Sequence, residues 1–172
     1  MIVYDYNGTG RWSYDAVLRR YTQYAQRFGV SDLTDLAPRE YHENGKRWIF
    51  PVMYRVIQGI ENDDPACVEI GVEFIEESDS FPFGRALKSN TARALRRATL
   101  NAEQRDRVRK RIAEMLCTGY LPREYRQYAK LGRKIGLKDW LARIKEEADL
   151  SNPWVRHYYE YFRESAAGEG RT

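Results

Sequence analysis

The chain has 172 residues, of which 42% are hydrophobic and 31% charged, with thirteen Tyr, six Phe and four Trp. That length suits one well-packed core, and that apolar and aromatic content excludes a disordered polypeptide. The net charge of +4 hides a strong asymmetry: residues 61–84 carry eight acids and no base, and residues 85–145 carry eighteen bases against five acids.

Residues 2–6 read as a short extended segment. Tyr14, Val17, Leu18, Tyr21, Tyr24, Ala25 and Phe28 then recur at three-and-four spacing, which predicts a helix over 13–28. Ser13 is placed to cap it and Gly29 to end it. Residues 31–46 are polar and turn-rich, and read as a loop with a helical turn. Ile49, Val52, Met53, Val56, Ile57 and Ile60 mark the next helical face, with Pro51 in the first turn, where its missing amide costs little.

Asp64-Pro65 is a helix start signal. The segment it opens, 66–77, fits two patterns. Cys67, Ile70, Gly71, Phe74 and Ile75 suit a helix, whereas Val68, Ile70, Val72 and Phe74 alternate as a strand would. The Asp-Pro start and the closing Glu76-Glu77 favour the helix. Further helices are predicted over 83–98, 101–117, 122–135 and 137–148, and a last one from Asn152-Pro153, which carries Trp154, Val155, Tyr158, Tyr159 and Phe162. Within 83–98, Ser89-Asn90-Thr91 is a polar interruption near the buried face.

The expected fold is therefore all-α: seven to eight helices in antiparallel pairs, forming a compact bundle or a short right-handed stack. The stack resembles HEAT-like helix pairs in layout alone, since no repeated consensus accompanies it. One helical domain over 1–165 and a flexible tail over 166–172 complete the expectation.

The basic stretch is the main functional candidate. Arg85, Lys88, Arg93 and Arg96 fall on one side of their helix, Arg107, Lys110 and Arg111 on one side of the next, and Arg123, Arg126, Lys130 and Arg133 on a third. Such ridges attract phosphates or carboxylates, and arginine's fork suits both, so nucleic acid or an acidic protein is the expected partner. Glu69, Glu73 and Glu76, a few residues upstream, are placed to neutralise part of this charge. The dense aromatic run on the last helix gives a second reading, a protein-protein or homo-oligomer interface at Trp154, Tyr158 and Tyr161.

An enzyme is disfavoured. His42 and His157 have no nucleophile or ligand at a telling spacing, Gly8-Thr9-Gly10 lacks the Lys-Ser/Thr of a phosphate loop, and the Glu69–Glu77 carboxylates lack an accompanying His. No metal or other cofactor is expected. Neither a membrane span nor a signal peptide is legible, and Cys67 and Cys117 read as reduced thiols of a cytoplasmic protein.

Overall fold

The computed structural model describes residues 1–168. It resolves into two compact units, Met1–Thr99 and Leu100–Thr172. Among the described residues there are eight α-helices and one small sheet, so the fold is mostly helical rather than all-α.

The first unit holds β1 (Ile2–Asp5), α1 (Tyr14–Arg27), β2 (Glu40–Glu43), β3 (Lys46–Ile49), α2 (Met53–Glu61), α3 (Pro65–Glu76) and α4 (Gly84–Leu95). The sheet overturns the second part of the loop expected over 31–46, whereas residues 31–39 are irregular. β2 and β3 form an antiparallel hairpin, and β1 adds to β3 in parallel, in the order β1-β3-β2. The hairpin turns on Asn44 and Gly45, both at positive φ (48° and 73°), the pairing whose twist matches that of the strands. Tyr4, Trp48 and Tyr41 stand in register across the sheet, with ring centres 5.7 and 5.4 Å apart.

Because β3 claims residues 46–49, the second helix starts later than its apolar pattern suggests. Ile49 is a strand residue and Pro51 precedes α2 instead of lying in its first turn. Val52 has no capping side chain of its own. Its amide donates instead to Asn7 Oδ1 at 2.7 Å, so a residue two positions beyond β1 satisfies an orphan donor at the start of α2.

The ambiguous segment is a helix. Asp64 Oδ1 accepts from the amides of Ala66 (2.9 Å) and Cys67 (3.4 Å), and every residue from Ala66 to Ile75 is buried. α3 packs against α1, α2 and α4, so all its faces are covered, which is why its β-branched residues show no clean helical stripe. Two glycines permit this closeness. A Cβ at Gly59 would overlap Cys67 Sγ, and one at Gly71 would stand 2.6 Å from Ile60 Cδ1.

The second unit holds α5 (Ala102–Thr118), α6 (Tyr125–Ile135), α7 (Leu141–Glu147) and α8 (Pro153–Gly168). Asn101 and Gln104 form a reciprocal capping box at the start of α5, and Gly119 (φ 72°) ends it. The Asn152 side chain accepts from the amides of Trp154 and Val155 at the start of α8. Val108, Ile112, Leu116, Tyr125, Tyr128, Leu131, Ile144 and Phe162 form the core, and the Tyr125 hydroxyl donates to the Ile112 carbonyl at 2.9 Å. Arg109 donates to the carbonyls of Ile135 (2.5 Å) and Gly136 (2.7 Å), tying α5 to the open end of α6. Of the expected flexible tail over 166–172, residues 166–168 belong to α8, and 169–172 lie outside the described residues.

Candidate functional site

Charge divides unequally between the units: the first has thirteen bases and fourteen acids, the second sixteen bases and eleven acids. The surplus that attracts an anion thus belongs to the second unit, and within it to α6. That helix carries Arg126, Lys130, Arg133 and Lys134 and no acid. Its inner face buries Tyr125, Tyr128, Ala129, Leu131 and Gly132. Arg123, Arg126, Lys130 and Arg133 are spaced three, four and three residues apart, so they run as one stripe along the opposite face. Arg123, Arg126 and Arg133 are exposed and Lys130 half-buried. Among the described residues no carboxylate pairs with any of the four.

Two of the aromatic candidates lie beside this stripe. The Arg133 guanidinium is 5.4 Å from the centre of the Tyr161 ring. The Tyr158 ring packs edge-on against Tyr125 at 4.8 Å, and burial pushes its hydroxyl pKa up while the charge of Arg126 pulls it down. The third basic ridge and the aromatic helix are therefore parts of one α6–α8 face. Tyr158 and Tyr161 are half-buried and engaged there, whereas Trp154 is 69% exposed.

The α5 ridge is less open. Lys110 is exposed and stands 3.9 Å from Glu114, Arg107 is half-buried and engaged, and Arg111 turns a buried Nε toward the interior beside Tyr128. The α4 ridge is broken. Arg85 is exposed, but Lys88 is only 6% exposed and is no surface cation. Its ammonium donates to the carbonyls of Glu77 (2.6 Å) and Asp79 (3.4 Å) and sits by Phe74 and Phe81. Its four-carbon stem places it among apolar residues while the charge finds carbonyls. Arg93 and Arg96 line a cleft between α2 and α4, where Arg97 joins them.

The acids expected to quench these bases are largely internal to the first unit. Glu69 and Glu73 are buried. Glu73 is bound by Arg11 (2.8 Å), Arg20 (3.1 Å) and the Tyr24 hydroxyl, all from around α1. Burial and the Glu73 hydrogen bond push the Tyr24 hydroxyl up to about 12, so it remains a donor at neutral pH. Thr91 is fully buried with its hydroxyl on the Leu87 carbonyl (2.8 Å), and Asn90 accepts from Arg93 at 3.2 Å.

No protein-family model, curated protein or solved structure matches this chain. The reading of the site rests on its own geometry.

The histidines are not brought to reactive partners. His42 lies exposed on β2, 3.2 Å from Glu40, and His157 lies exposed on α8 against Tyr158. An opening of about 770 Å³ in the first unit carries Asp32, Asp35, Asp63 and Asp64 with Arg55. Asp64 is already occupied by Tyr21 (2.6 Å), Thr34 (2.7 Å) and the start of α3. Among the described residues no group of His, Cys, Asp and Glu is suited to hold a metal, and no helix is long and apolar enough to cross a membrane.

Proposed function

We propose that this protein is an interaction module that binds the sugar-phosphate backbone of a nucleic acid on the α6–α8 face of its second unit. One observation carries the reading: a stripe of four cations without ion-pair partners among the described residues, flanked by Tyr158 and Tyr161. Cations already neutralised by carboxylates gain little from a phosphate, whereas these four keep their full attraction. The tyrosines offer ring surface on which an unpaired base can rest. Helix pairs stacked in the HEAT-like manner would present such a face, and a cytoplasmic location is part of the same proposal.

Binding of mixed-sequence DNA and RNA across a salt series tests it. Four neutralised phosphates give a slope of log K against log salt near −3.6 on duplex and near −2.8 on a single strand, from about −0.9 and −0.7 per contact. Arg126→Gln with Arg133→Gln is expected to roughly halve that slope. Absence of salt-dependent binding by the unmodified protein overturns the nucleic-acid reading. Salt-sensitive binding to a polyglutamate peptide in its place would assign the stripe to an acidic protein.

Trp154 favours a second reading, because a large apolar side chain at 69% exposure on a helix end is suited to a protein contact. Self-association seen by light scattering, insensitive to salt and lost in Trp154→Ala, would support it over the electrostatic one.

A further inference from the structure

The cleft between α2 and α4 has a chemistry of its own. It encloses about 370 Å³ and is lined by Tyr54, Ile57 and Glu61 from α2, Asn90, Arg93 and Ala94 from α4, and Arg96 and Arg97 just beyond α4. That volume lies in the range of small-molecule sites. Ile57 and Ala94 are buried and form an apolar floor, whereas Arg93 and Arg97 are exposed at the rim. The Asn90 side chain accepts from Arg93 Nη1 at 3.2 Å, which holds that guanidinium and leaves the Asn90 amide hydrogens free to donate.

Three arginines line one opening, and among the described residues neither Arg93 nor Arg97 is paired with a carboxylate, Glu61 of the same lining included. Arginines at the end of α4 are favoured by the negative end of its helix dipole, which explains why they occur there. It does not explain why the opening they surround has room for a ligand. With Arg93 and Arg97 on its rim, the cleft is short of an anion, and forked donors with an amide and a phenol beside them fit a tetrahedral dianion. Glu61 adds an acceptor for a hydroxyl or amine on the same ligand.

We infer that this cleft binds a small phosphomonoester with a hydroxylated body, its phosphate held by Arg93 and Arg97 and its body lying on Ile57 and Ala94 between Tyr54 and Glu61. This site is independent of the α6–α8 stripe, since all the residues that line it belong to the first unit.

Calorimetric titration of the full chain with adenosine monophosphate, adenosine and inorganic phosphate tests the inference. The monophosphate is expected to bind at least tenfold more tightly than either adenosine or inorganic phosphate. Arg93→Gln with Arg97→Gln should abolish that preference. Both residues are exposed, and an unchanged circular dichroism melt will show that the variant folds. Arg126→Gln with Arg133→Gln should leave monophosphate binding intact, so failure of the nucleic-acid reading and failure of this one are separable. No measurable monophosphate binding, equal affinity for adenosine, or binding unaffected by Arg93→Gln with Arg97→Gln overturns the inference.

Discussion

At the scale of single residues, polar groups in the first unit are held by specific partners, and their titration follows from them. Glu77 shows this. Burial disfavours its charged form, but the Trp12 indole N–H (2.8 Å), the Asp79 and Ser78 amides and the charge of Lys88 outweigh burial and hold the carboxyl below its usual value. An unfolded glutamate titrates at about 4.3. The stabilisation from Glu77 is therefore complete above that value and lost as pH falls through the lower, folded one. Glu77→Gln keeps an acceptor for Trp12 but cannot titrate. Denaturant midpoints at pH 7 and pH 3.5 should fall less between the two conditions in Glu77→Gln than in the unmodified protein. An equal fall would show that Glu77 is not linked to folding. The same scale explains Lys88: helical spacing places it among surface cations, but spacing does not reveal that carbonyls of the preceding α3–α4 loop accept from its ammonium.

At the scale of elements, the closeness of α2 and α3 decides what Gly59 can become. Replacing a helix-interior glycine by alanine ordinarily stabilises by about 0.5–1 kcal/mol. Here the new methyl would overlap Cys67 Sγ and stand 2.9 Å from Cys67 Cβ, with Thr34 Oγ1 at 3.0 Å. Overpacking of a tight core costs about 1–3 kcal/mol, so the clash outweighs the helix preference and Gly59→Ala should lower stability. Cys67→Ala removes the overlapping sulfur, and the Gly59→Ala/Cys67→Ala pair should cost less than the sum of the two single changes in a double-mutant cycle. Additive costs would mean that the two side chains do not meet.

At this scale, too, the sequence was unevenly legible. The helix predicted over 13–28, the Asp64-Pro65 start, the Asn101 cap and the Asn152-Pro153 start all appear, because caps and apolar stripes are local. The hairpin had a local signal as well. Asn44-Gly45 between Tyr41 and Trp48 is a strong turn pair, set within a polar stretch whose overall composition resembles a loop. The parallel pairing of β1 with β3 had no such signal, since it joins residues more than forty positions apart.

At the scale of the whole molecule, the chain comprises two compact units with separate sets of buried side chains. α3 anchors the first, and Ile112, Tyr125 and Leu131 lie at the centre of the second. Fragments 1–99 and 100–172, expressed separately, are each expected to give a helical circular dichroism spectrum and a cooperative melt. Trp12 reports on the first fragment and Trp140 on the second. Loss of helix in either would show that its core is incomplete alone. The surplus positive charge belongs to the second unit, and its clearest stripe is on α6.

What the amino-acid order determined by itself was the helical character, most helix starts, and the concentration of arginine after residue 85. These depend on interactions within a few residues: capping hydrogen bonds, apolar spacing, and composition. What only the tertiary structure decided was which cations remain available. Lys88 is spent on carbonyls, Arg109 closes the end of α6, and Arg11 and Arg20 occupy Glu73, whereas Arg123, Arg126, Lys130 and Arg133 have no carboxylate partner among the described residues. Charge is a property of the residue, but neutralisation depends on partners brought close by folding, and helical periodicity carries no record of them.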